Sequence, residues 1–151
     1  MDIKTHSSRI QHLYYRAGFG VTPKELNQEL KADSSTLVER FLSNSSKEIP
    51  IHVIPDSLDL SLKRFLKGEE RKKLLKQNKQ FSNDLIKKWF YQLGNSDAMF
   101  REKMTFFWHG HFACRVGNSI FQENFINLLR KHALGDFKTL VLEVAKSAAM
   151  I

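Results

Sequence analysis

Along most of this chain the apolar residues fall at intervals of three and four, the period at which successive side chains return to one face of a helix. Ile10, Leu13, Tyr14 and Ala17 predict a first helix, capped by Ser7 or Ser8 and closed at Gly18, where a left-handed residue can end it. Gly18-Phe19-Gly20 is then a tight connection. Thr22-Pro23-Lys24-Glu25 has the form of a capping box with proline at the first helical position, and predicts a second helix to about Ala32. Ser34 or Ser35 would cap a third, whose inner face holds Leu37, Val38, Phe41 and Leu42 and which ends in Ser43-Asn44-Ser45-Ser46.

There the period breaks. Ile49-Pro50-Ile51-His52-Val53-Ile54-Pro55 favours extended backbone, because each proline pushes the residue before it out of the helical region, and this is the only candidate strand. A short segment follows over residues 58–66. Gly68 marks another break, with Glu69 and Glu70 at the positive end of a long helix carrying the stripe Leu74, Phe81, Leu85, Trp89 and Leu93 and stopping at Gly94-Asn95.

Asp97 is the expected cap of the next helix, with Phe100, Met104 and Phe107 on one side and Arg101, Thr105, Trp108 and Phe112 on an adjacent one; so few free polar positions place it centrally. Residues 118–132 predict another helix with Phe121, Phe125, Leu128 and Leu129 inward and Gly135 just past its end. Asp136 then caps a last segment through Phe137, Leu140, Val141 and Val144. The expected fold is all-α, an irregular bundle of about six to seven helices with one extended, proline-containing connector over residues 44–57. It reads as a single helical domain over 1–151, divisible into sub-units 1–43 and 58–151.

A chain of 151 residues, 42% hydrophobic and 26% charged, is globular in composition and long enough for one domain with its own core. The single cysteine, Cys114, can form no internal disulfide and leaves no cysteine-based zinc motif. No apolar signal core or stretch of ~18 apolar residues is present, so the sequence predicts a cytoplasmic chain that does not span a membrane, while leaving export of a longer parent open. The apolar ending Ala145-Lys146-Ser147-Ala148-Ala149-Met150-Ile151 carries no stop signal and predicts the N-terminal part of a larger protein, whose missing portion would be its first partner.

The net charge of +8 favours anionic partners, although such charge commonly serves solubility alone. Ten basic and three acidic residues lie between Lys63 and Lys88, and Lys72, Lys73, Lys76, Lys79, Lys87 and Lys88 are the candidate contacts for a polyanion. They surround most of a helix without forming a clean stripe, which is also how a solvated helix looks. His12 and Arg16, four apart on the first helix, could face an anion together.

The densest chemistry is Trp108-His109-Gly110-His111. Two imidazoles one residue apart suit a divalent metal on a strand, but on a helix they diverge by about 200° unless it distorts near Gly110. His109 and His111 are nonetheless the candidate metal ligands. Glu102, two turns before His109, shares its face, and these two are the candidate catalytic groups. The opposing expectation leaves His109 half exposed and sends His111 into the core. Cys114 beside Arg115 could be an activated thiol but more commonly is a buried inert one. His132, with Arg130 and Lys131, ends a helix where cations suit the dipole, and His6 and His52 lack a local partner. No Walker loop, dinucleotide fingerprint, zincin helix or serine elbow is present, and Gly18-Phe19-Gly20 lacks both the later glycine and the preceding strand.

Three segments together resemble the N-terminal part of the bacterial family catalogued as domain of unknown function 1800. They are His12-Leu13-Tyr14-Tyr15-Arg16-Ala17-Gly18-Phe19-Gly20-Val21-Thr22-Pro23, Arg101-Glu102-Lys103-Met104-Thr105-Phe106-Phe107-Trp108-His109-Gly110-His111-Phe112, and Leu129-Arg130-Lys131-His132-Ala133-Leu134-Gly135-Asp136-Phe137. The resemblance implies a largely helical parent of several hundred residues, often exported, and no particular activity. The chain departs from the pattern at Lys131, where an acidic residue is usual. Three functions follow as expectations: a metal-binding or hydrolytic site completed downstream, a basic module for nucleic acid or another acidic polymer, and a structural domain packing on the rest of its parent.

Overall fold

The computed structural model describes residues 3–150, with side chains from residue 5. Met1, Asp2 and Ile151, the extremes of the N-terminal segment and apolar ending read above, lie outside them. The described residues form seven α-helices and one 3-10 helix with no strand: α1 (Ile3–Ala17), α2 (Pro23–Glu29), α3 (Ser34–Ser45), the 3-10 helix Leu60–Arg64, α4 (Gly68–Asn95), α5 (Met99–His111), α6 (Ser119–His132) and α7 (Phe137–Lys146). None of the helices is long and apolar enough to cross a membrane.

Local chemistry explains most of the helix ends. The Thr22 hydroxyl accepts from the Glu25 N–H, and the Glu25 carboxylate accepts from the Thr22 N–H at 2.9 Å, a complete capping box. Asp136 caps α7 as expected, accepting from the Thr139 N–H at 2.8 Å, and Asn118, expected as the first residue of its helix, caps α6. Three expected caps differ. Ser7 and Ser8 lie inside α1, which begins earlier; Asp33 rather than a serine caps α3; and α5 has no side-chain cap, because its N-cap is Ala98 and not Asp97, with the Ala98 N–H donating to Ser96 Oγ. Helix α2 is also shorter than expected, ending at Glu29.

At the end of α1 the two glycines divide the work. Gly20, not Gly18, holds the left-handed φ of 112°. Gly18 instead permits close approach, since a Cβ there would lie 3.0 Å from the Tyr14 carbonyl and 3.3 Å from Met99 Sδ of α5.

Three apolar clusters form the core. Ile10 and Tyr14 of α1 meet Leu37 and Phe41 of α3, with Met99 and Phe100 of α5 against them. Leu85, Trp89 and Leu93 of α4 meet Ile51 of the connector and Ile126 of α6. Phe125 and Leu129 of α6 meet Leu140 and Val144 of α7, with Trp108 and Phe112 of α5 packed on them. Helix α5 packs against α1, α3, α4 and α6 and so is central, but its buried residues are Arg101, Glu102 and Thr105. The expected inward residues Val38, Leu42 and Phe121 are instead exposed, as are Phe107, Phe137 and Val141. Polar side chains occupy the centre of α5 because they satisfy the ends and charges of neighbouring helices, as described below.

The extended connector finds no sheet. Its backbone groups are met by α6 side chains: Ile51 donates to Asn127 Oδ1 and accepts from Asn127 Nδ2, both at 2.8 Å, while Val53 and Ile54 donate to Glu123 Oε2 at 2.7 and 3.0 Å. An asparagine making both bonds to one residue imitates a neighbouring strand, which satisfies buried backbone groups without any second strand.

Candidate binding cleft

Helices α4, α5 and α6, with the loop between the last two, enclose a cleft of about 420 Å³. Leu85, Ile86, Trp89 and Phe90 come from α4, Phe106 and His109 from α5, and Phe125, Ile126 and Gln122 from α6. The loop adds Cys114, Arg115 and Val116, and it is held in place from both sides. Asn78 of α4 donates to the Gly117 carbonyl and accepts from the Ser119 N–H, each at 2.9 Å, and Gln122 Nε2 donates to the Val116 carbonyl at 2.6 Å. Much of the rim is aromatic and wet: Phe90 is 58% exposed and Phe106 46% exposed. Phe19, Phe90, Leu93 and Phe106 continue it into a second, wholly apolar hollow.

His109 stands in this cleft with its ring 4.8 Å from Trp89 and 6.2 Å from Phe125. Burial alone holds its imidazole below the usual histidine pKa, so it is a neutral ring at physiological pH. His111 lies on another side of α5, exposed and stacked on Phe107 at 6.3 Å, with edge contacts to Trp108 and Phe112. His109 is thus half-buried, as the structural expectation had it, while His111 is exposed and not in the core, because α5 runs regularly through Gly110 to His111 and does not re-aim the pair. Among the described residues no three His, Cys, Asp or Glu side chains group closely enough to hold a metal ion.

Glu102 does not join His109 in the cleft. It is fully buried, and its Oε1 accepts from Arg130 Nη2 at 2.7 Å in an ion pair with side-chain exposures of 2% and 0%. Burial pushes its carboxyl pKa up, chiefly opposed by Arg130; burial pushes the Arg130 guanidinium down, chiefly opposed by Glu102. Glu102 Oε2 and the Nε and Nη1 of Arg130 find no hydrogen-bond partner. Beside this pair, Arg101 donates from Nε to the Ser45 carbonyl at 2.8 Å and from Nη1 to the Arg130 carbonyl, with longer bonds to those of Ser46 and Lys131. One guanidinium thus closes the carbonyl ends of both α3 and α6, where the helix dipoles favour a cation. The sequence signal for this centre was the placement of charged residues on a helix with little other polar surface; the partners lie far along the chain.

The Cys114 thiol pKa is raised by burial, so the cysteine is a protonated lining group. His12 and Arg16 are brought together with Arg9 and Leu13 on a shallow, exposed hollow of α1. Of the candidate lysines, Lys72 pairs with Glu69 at 2.7 Å, Lys87 with Asp84 at 3.7 Å, and Lys88 donates to the His52 carbonyl at 2.8 Å. Lys73, Lys76 and Lys79 are exposed. His6 and His52 acquire distant partners, His6 at the Ala32 carbonyl (3.2 Å) and His52 at Glu123 (3.7 Å).

The family model described as a protein of unknown function, DUF1800, matches residues 12–151. The chain belongs to the DUF1800 family. No curated protein and no solved structure matches it. In this DUF1800 chain the three segments of the sequence resemblance meet around α5: Gly18 of the first against Met99 at its start, and Arg130 of the third on Glu102 of the second.

Proposed function

We propose that this domain is a binding module that takes up an apolar group in the α4–α5–α6 cleft. The observation that carries the reading is the cleft itself: a concave site of about 420 Å³, walled mostly by apolar and aromatic side chains with a few polar groups, has the size and lining of a small-molecule site. The groups a catalytic reading would use support binding instead. Glu102 is committed to Arg130, Cys114 is protonated, and His109 stands without an acidic or basic partner. A neutral, uncharged probe such as N-phenyl-1-naphthylamine tests this on the full-length protein. A saturable fluorescence rise that disappears in Phe106→Asp is expected, with the far-UV circular dichroism of the variant unchanged because the position is half exposed. No saturable signal, or equal binding by the variant, would remove the reading.

A metal-dependent or hydrolytic reading rests on His109 in the same cleft and draws its remaining ligands from outside the described residues. Elemental analysis of the full-length protein beside a His109→Ala/His111→Ala double variant decides it: stoichiometric metal lost in the variant supports it, and equal metal content in both removes it.

A further inference from the structure

We infer that the ligand of this cleft is a small carboxylate with an aromatic or branched apolar body, an assignment that rests on the binding reading above. The lining contains one charged group, Arg115, and no carboxylate. Arg115 is exposed, and among the described residues it makes no ion pair, so its guanidinium is free to receive an anion. The second observation is Trp89. Its side chain lines the cleft at only 4% exposure, and its indole N–H is buried without an acceptor. A buried donor left unmet is costly, and a ligand whose acceptor reaches it as neighbouring cleft side chains give way recovers that cost.

Both groups donate and neither accepts, and a carboxylate is the common organic group that only accepts. The apolar walls of Leu85, Phe125 and Ile126 then take the body of the ligand. His109 and the protonated Cys114 present no negative charge against it. One lining atom favours a different head group. Gln122 spends its amide N–H on the Val116 carbonyl, leaving Oε1 unpartnered, and a carboxamide could donate to it.

That competition sets the experiment. The full-length protein, 15N-labelled, is titrated with 4-phenylbutyrate and separately with its neutral carboxamide, following the indole signals of Trp89 and Trp108. The carboxylate is expected to shift the Trp89 signal saturably, leave Trp108 in place, and bind about tenfold tighter than the carboxamide, the size of one charge-assisted hydrogen bond. Arg115→Gln, at an exposed position, is expected to keep the fold and abolish the difference. A carboxamide that binds as tightly or more tightly, or a carboxylate preference that survives in Arg115→Gln, overturns the assignment while leaving a binding cleft. If neither compound moves the Trp89 signal, the cleft reading falls with it.

Discussion

At Glu102 and Arg130 two charges lie almost without exposure, and each is tolerable only because the other is there. Glu102→Leu or Arg130→Met alone is expected to destabilise the protein by about 3 to 5 kcal/mol, since each leaves an uncompensated buried charge. The double variant should recover most of the loss, and chemical denaturation of all four proteins measures both effects. At His109 the folded-state pKa lies below the usual 6.5, so the unfolded chain binds more protons between the two values. Stability is therefore full above pH 6.5 and falls as pH drops through that window. His109→Phe should flatten the decline expected as pH falls below about 6.5 in denaturation curves. His109 and Glu102 were legible as notable residues from their setting in an apolar helix. Their separate fates were not, because these depend on Arg130, 28 residues from Glu102 in the chain, and on Trp89 in another helix.

Among the elements, the connector shows how backbone needs can be met by side chains. Asn127→Ala would strip both partners from Ile51 and cost about 1 to 3 kcal/mol, with faster amide exchange at Ile51 as its local signature. The prolines made its extended form legible, but no local pattern announces that Asn127 and Glu123 will stand in for a strand. Helix caps separate in the same way. Thr22, Asn118 and Asp136 act within three residues and could be read directly, whereas the start of α5 depends on Ser96 and on the turn from α4. In α4, Leu85, Trp89 and Leu93 are buried while the residues from Gly68 to Gln80 include no buried side chain. The exposed lysines there are solvated, and a Lys73→Gln/Lys76→Gln/Lys79→Gln variant should change stability by no more than about 0.5 kcal/mol in thermal or chemical unfolding.

Across the whole molecule, three apolar clusters surround a central helix whose buried face is polar, and the exposed Phe90 and Phe106 stand at the rim of one cleft. Helical periodicity carried the all-α class and most helix positions. It could not reveal the cleft, since Phe90 and Phe106 read as ordinary apolar residues until α4, α5 and α6 are set side by side. Exposed aromatics around a concave, largely apolar site are what a binding role needs and what a closed structural domain would have covered. The most direct measurement is methyl NMR of the full-length protein titrated with a neutral apolar probe. Saturable shifts confined to Leu85, Val116 and Ile126 are the predicted result, whereas shifts centred on the α1 hollow, or no saturable shift at all, would contradict the assignment of this cleft as the binding site.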